Sequence, residues 1–141
     1  MTVSDYSPLS LLKSLRILVL DSSSITDLVP LANLYSLEVL ILRSTNIKDS
    51  SPLTNLYNLE LLDLNGTDVA DISPLSGLYK LRALDIGGTF VTDLTPLVRL
   101  SLLIDLNLSF LTCSHDPIKH LPCVRGLYSS VLTLERDAVS R

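Results

Sequence analysis

A repeat period of twenty-two residues constrains this chain more than any other property. Residues 25–46 read ITDLVPLANLYSLEVLILRSTN, residues 47–68 read IKDSSPLTNLYNLELLDLNGTD, and residues 69–90 read VADISPLSGLYKLRALDIGGTF. Residues 3–24 and 91–112 follow the same pattern less strictly, which makes five copies. Self-similarity at a fixed period of this length indicates stacked units that bury their apolar faces against one another, so each local reading is subordinate to the repeat.

Counted from the first residue of each copy, offset zero is β-branched: Val3, Ile25, Ile47, Val69 and Val91. Offset five is Pro8, Pro30, Pro52, Pro74 and Pro96, and offsets six, nine, twelve and fifteen are leucine throughout, as in Leu31, Leu34, Leu37 and Leu40. Offset seventeen is Leu20, Leu42, Leu64, Ile86 and Leu108. No single amphipathic helix or hairpin uses this spacing. These seven columns are expected to point inward from one coil of a right-handed path.

The closing Leu-x-Leu of each copy predicts a short strand with one face buried. Ser7-Pro8, Ser51-Pro52, Ser73-Pro74 and Thr95-Pro96 predict an N-cap followed by proline at the first position of a short helical or 3₁₀ turn. Val29 stands in the cap position of the second copy, so that turn should be the weakest held. Asp5, Asp27, Asp49, Asp71 and Asp93 at offset two can accept backbone N–H groups as Asx turns. A cation-binding stripe is the poorer reading of this column, because carboxylates stacked at ~4.8 Å repel unless solvated or bonded to backbone.

L-x-x-L-x-x-L-x-L, a polar residue, and then an I-T-D-I-S-P-L type segment together resemble the 22-residue leucine-rich repeat of the internalin type, over residues 3–112. Related repeats occur in a regulatory subunit of protein phosphatase-1. The resemblance implies an α/β fold, a right-handed leucine-rich-repeat solenoid. About six parallel strands would line its concave face, with short helical or 3₁₀ turns on the convex side. The family usually places asparagine at offset twenty, where it forms a hydrogen-bonded ladder. Here that column is Ser23, Thr45, Thr67, Thr89 and Leu111, so hydroxyls are expected to bond neighbouring backbone less completely.

The length suits one domain. Residues 1–112 hold the five regular repeats and CSHDP at 113–117 is an insertion. Residues 118–138 form a degenerate sixth repeat or C-terminal cap, with Ile118, Leu121, Val124 and Leu127 in register and Leu132 and Leu134 supplying the strand one deletion later, and 139–141 are the stub of a further copy. With two residues before the first copy, either that coil is frayed or the natural array is longer. Apolar residues at 47% with aromatics at 5% and no tryptophan match an aliphatic interior. A net charge of −4 argues against nucleic acid as a partner. The start MTVSDYSPLS lacks a basic and an apolar leader region, and no apolar run reaches membrane-spanning length. The default expectation is therefore a cytoplasmic protein without a membrane span.

In such a repeat the residues flanking the strand leucines line the concave face. Ile17, Val19, Val39, Ile41 and Leu61 would form a contiguous aliphatic patch beside Arg43. Asp63, Asp85, Asp105 and Asn107 would continue it as a polar surface, with Gly87 and Gly88 leaving room. An aliphatic patch rimmed by polar groups suits a binding surface. The expected function is a non-catalytic module that holds a protein or peptide on this face. The alternative is a structural segment of a longer repeat scaffold or receptor, with no partner of its own. Tyr35, Tyr57 and Tyr79 at offset ten read as a packing ladder with exposed hydroxyls, or as a peptide or carbohydrate platform.

Cys113, His115, His120 and Cys123 are every cysteine and histidine in the chain, within C-x-H-x4-H-x2-C. Four such ligands could close a zinc tetrahedron, but the spacing is not that of a standard finger or ribbon. Neither a metal nor a cofactor is expected, and two cysteines make no disulfide scaffold. No glycine-rich phosphate loop is present, and His115-Asp116 beside Cys113 is too local for a nucleophile triad. An enzyme is not expected.

Overall fold

The computed structural model describes residues 4–111. Five three-residue strands form one parallel sheet in sequence order: β1 Ile17–Val19, β2 Val39–Ile41, β3 Leu61–Asp63, β4 Ala83–Asp85 and β5 Asp105–Asn107. The register advances by one repeat at each step, placing Leu18, Leu40, Leu62, Leu84 and Leu106 side by side. Short 3₁₀ turns at Ser7–Leu11, Val29–Leu31, Ser51–Leu53, Ser73–Leu75 and Thr95–Leu97 alternate with the strands. This is the expected repeat solenoid. The sixth strand, the insertion and the stub fall outside the described residues.

The leucine columns fill the interior. In coils two to four, offsets six, nine, twelve and fifteen are essentially inaccessible, for instance Leu53, Leu56, Leu59 and Leu62. The proline column does not join them: Pro30, Pro52, Pro74 and Pro96 are half-buried and Pro8 is exposed. Offset three points inward instead, where Leu28, Ser50, Ile72 and Leu94 are buried. Proline recurs here for its backbone, since its fixed φ suits the start of a turn and the N–H it lacks is not required there. Ser50 is admitted to the core because its hydroxyl donates to the Asp71 carbonyl at 2.8 Å.

The offset-two aspartates hold the turns. The backbone N–H groups of Ser7, Val29, Ser51, Ser73 and Thr95 donate to Oδ1 of Asp5, Asp27, Asp49, Asp71 and Asp93 at 2.8–2.9 Å. The cap positions belong to Tyr6, Leu28, Ser50, Ile72 and Leu94, none of which makes a side-chain cap bond. The expected caps at Ser7, Ser51, Ser73 and Thr95 are thus corrected: these residues are donors to the aspartate. The second turn keeps the same amide bond, from Val29 at 2.9 Å, but Val29 carries no hydroxyl to add to it. Hydroxyl and amide donation from Ser7 and Ser51 holds Asp5 and Asp49 below the usual carboxylate range. Amide and hydroxyl donation from Ser73 and Thr95 does the same for Asp71 and Asp93.

At offset twenty, the hydroxyls of buried Thr45, Thr67 and Thr89 donate to the carbonyls of Leu42, Leu64 and Ile86 at 2.6–2.8 Å. These are the expected hydroxyl bonds to neighbouring backbone, and they close within one coil. A hydroxyl on so short a side chain offers one donor, and the carbonyl three residues back takes it.

Two outcomes test this architecture. Leu62→Ala should cost about 2–5 kcal/mol in denaturant unfolding, and Leu61→Ala, facing outward, clearly less. Equal losses would refute the inside–outside assignment. The second test concerns acid. A carboxylate with a depressed folded pKa stabilises the fold above its unfolded value of ~3.9, and that contribution disappears as pH falls through the lower folded value. Unfolding midpoints should therefore hold above about pH 5 and decline below about pH 4. Changing Asp49, Asp71 and Asp93 together to asparagine, which keeps the acceptor, should shrink that decline. Glu38, lowered by its hydrogen bond from Arg16, is left to supply part of what remains.

Candidate binding surface on the strand face

Each strand turns its middle residue inward and its outer two away from the core. The parallel register aligns the outward residues into two rows across the sheet: Ile17, Val39, Leu61, Ala83 and Asp105, then Val19, Ile41, Asp63, Asp85 and Asn107. The expected aliphatic patch is present on one half. Ile17 and Val19 are 61% and 56% exposed, and Val39, Ile41 and Leu61 are half-buried among their neighbours.

The other half, Asp105 excepted, is a hydrogen-bond network rather than a set of free polar groups. Arg43 donates through Nε and Nη2 to Asp63 Oδ2 at 3.2 and 2.8 Å, and the Asn65 amide N–H donates to Asp63 Oδ1 at 2.9 Å. Asp63 is only 7% exposed, and its acceptance of these bonds pushes the Arg43 guanidinium above its ordinary pKa. Asp85 accepts from Asn65 Nδ2 at 3.0 Å, the Gly87 N–H at 2.9 Å and Asn107 Nδ2 at 3.0 Å. Asn107 in turn accepts from the Ser109 N–H and hydroxyl at 3.0 and 2.7 Å. Arg43 Nη2 lies 4.0 Å from Asp85 Oδ2. A signal for this network exists in the sequence: Asp63-x-Asn65, Asp85-x-Gly87 and Asn107-x-Ser109 repeat the acceptor-to-second-amide spacing of the offset-two aspartates.

Gly87 does not leave vacant room. A Cβ there would meet Asn65 Nδ2 and Ser109 Oγ at 2.9 Å and the Ser109 carbonyl at 3.0 Å, so the network occupies that space. The vacancy lies instead at the start of β4, four residues before Gly87. A depression of about 270 Å³ over Ala83 is lined chiefly by Leu61, Asp63, Ala83, Asp85, Asp105 and Asn107. Ala83 opens it, being the smallest side chain in its row. Sequence reasoning gave Ala83 no role, although its size among isoleucine, valine and leucine was visible. Asp105 is exposed and makes no side-chain hydrogen bond or ion pair among the described residues.

Beside the strands, Arg16 meets Glu38 with two bonds, from Nε at 2.8 Å and Nη2 at 2.7 Å. The hydroxyls of Tyr35 and Tyr57 donate to Asn33 and Asn55 at 2.7 and 2.9 Å, leaving exposed rings. At Tyr79 the corresponding position is Gly77, and a second depression of about 460 Å³ opens there beside Pro96, Val98 and Arg99. Among the described residues no group of three or more His, Cys, Asp or Glu side chains is placed to hold a metal. Cys113, His115, His120 and Cys123 lie outside those residues. No helix of the described residues is long and apolar enough to cross a membrane.

The two glycines give a paired test of the network. Gly87→Ala should destabilise by about 1–3 kcal/mol because the added carbon displaces Asn65 and Ser109. Gly77→Ala meets only the Tyr57 ring at 3.9 Å, so it should be neutral or slightly stabilising in the same unfolding assay. Equal costs would mean the network contributes nothing.

Residues 35–77 and 57–99 match the model of paired leucine-rich repeats. No curated protein matches the chain. Among solved structures, an internalin (inlF) from Listeria monocytogenes shares 34% identity over 86% of this chain and 36% of its own, with a TM-score of 0.80. Internalin C2 from the same organism shares 34% identity over 77% of this chain and 48% of its own, with a TM-score of 0.73. A leucine-rich-repeat protein of Leptospira interrogans shares 26% identity over 80% of this chain and 30% of its own, with a TM-score of 0.73. The chain therefore spans between about a third and a half of the length of these neighbours. Repeat length, strand register, turn geometry and these likenesses agree: the chain is an internalin-like leucine-rich-repeat protein.

Proposed function

We propose that the chain is a non-catalytic binding module that holds a protein or peptide on its strand face. The observation that carries this reading is the contrast between the two halves of that face. Asp63, Asp85 and Asn107 are tied into a network, which fixes the surface without recruiting a partner. Ile17, Val19, Val39, Ile41 and Leu61 remain as an aliphatic strip that nothing in residues 4–111 covers. Contiguous apolar strips bordered by polar groups are characteristic of interaction sites. A rigid strip costs less to order on binding than a mobile one.

The saturated network also favours a second reading, a structural segment within a longer array whose strand face merely stacks. The two readings diverge on one substitution. Peptides selected from a displayed random library against the intact chain should lose at least tenfold in affinity on Ile41→Glu. The melting temperature should hardly change, since Ile41 faces away from the core. Retained affinity would remove the strand face as the site. Loss of binding on changing Tyr35, Tyr57 and Tyr79 to alanine instead would move it to the flank.

A further inference from the structure

We infer that the depression over Ala83 receives one basic side chain, lysine or arginine, from an extended partner segment; this rests on the strand face being the docking surface. Leu61 and Ala83 supply an apolar lining, while Asp105, Asp85 and Asp63 surround it with carboxylates. Among the described residues, Arg43 is the one cation bonded to this group. It pairs with Asp63 at 2.8 Å and stands 4.0 Å from Asp85. The donors that saturate Asp85 are neutral amides, so its hydrogen bonds are satisfied but its charge is not cancelled. The Asp105 carboxylate is neither hydrogen-bonded nor ion-paired among the described residues. The depression therefore carries an excess of negative charge above an apolar lining.

A long basic side chain has the complementary construction, with an apolar stem and a charged head. Its stem would lie along Leu61 and Ala83 and its head would reach Asp105. An acidic group would be repelled there, and a wholly aliphatic one would desolvate the Asp105 carboxylate without replacing its hydration. The outward row supports the same order, passing from Ile17, Val39 and Leu61 through Ala83 to Asp105. From β2 to β5 is three strand steps, roughly 14 Å at ~4.8 Å each, which an extended segment covers in about four residues. The geometry thus selects an aliphatic residue and, about four positions along, a lysine or arginine.

The test selects peptides from a displayed random linear library on the intact chain and on Asp105→Asn. Wild type should enrich peptides with that aliphatic-to-basic spacing, and Asp105→Asn should lose the basic preference while keeping the aliphatic one. For one selected peptide, dissociation constants are then measured for the lysine form and its methionine replacement against both chains. The two changes should be non-additive by about three- to tenfold, and the coupling should fade with added salt. Ala83→Leu, which fills the depression, should weaken the lysine peptide more than the methionine one. Additive effects, or enrichment without basic residues, would overturn the subsite. Binding that is still lost on Ile41→Glu would then leave the docking surface standing. Binding that ignores Ile41→Glu, or no selected binder at all, would sink both.

Discussion

One coil of twenty-two residues cannot bury its own leucines, and everything else in the molecule follows from that. The strand of each coil is three residues long and offers a single inward side chain, such as Leu40 or Leu62. That side chain is hidden only because identical columns lie directly above and below it in a parallel register. The register permits no slip, since a one-residue shift would turn Leu62 outward and bring Leu61 or Asp63 into the core. Stacking of like on like therefore makes the period itself the stabilising element. A coil that departed from it would lose its contacts on both sides.

Turning the chain so tightly leaves backbone donors at each corner, and the same device meets them on both sides of the coil. A short acceptor side chain bonds the amide two residues on: Asp49 to Ser51 beside the 3₁₀ turn, Asp85 to Gly87 after the strand. Its use at the strand end has a consequence that its use at the turn lacks. Asp63 and Asp85 still have oxygens to spare and take Arg43, Asn65 and Asn107 from adjacent coils. A corner bond thus grows into a lateral network that braces the later strands, where the outward residues are too polar to brace each other by apolar contact.

How much of this was legible depended on whether a column's residue type recorded its cause. The leucines did, because burial against like neighbours is the only reason for leucine at four fixed offsets. Proline did not: it recurs for its φ, and recurrence alone was mistaken for burial. Offset three was overlooked because Tyr6 and Ser50 interrupt its apolar run, although Leu28, Ile72 and Leu94 lie fully inside. Ser7, Ser51, Ser73 and Thr95 resembled caps since hydroxyl-before-proline is a usual helix entry, but a 3₁₀ turn this short is held from the preceding aspartate. The network was hidden for another reason. Arg43 with Asp63, and Asn65 with Asp85, join residues twenty apart, diagonal to the repeat rather than along its columns.

That diagonal separates the residues that build the surface from those left to act through it. Outward polar residues in a repeat protein invite the assumption that all of them await a partner. Here Asp63 and Asp85 already have their hydrogen bonds, so a partner would gain little from displacing donors set at 2.8–3.0 Å. Asp105, one strand beyond Ala83, has no such bond among the described residues. The aliphatic strip on β1 to β3 likewise has nothing against its outer side within residues 4–111. Specificity in this molecule therefore need not reside in its most polar residues. On the proposed reading it resides where the repeat leaves side chains unsatisfied, at an apolar strip and at one carboxylate, with the hydrogen-bond network lying between them.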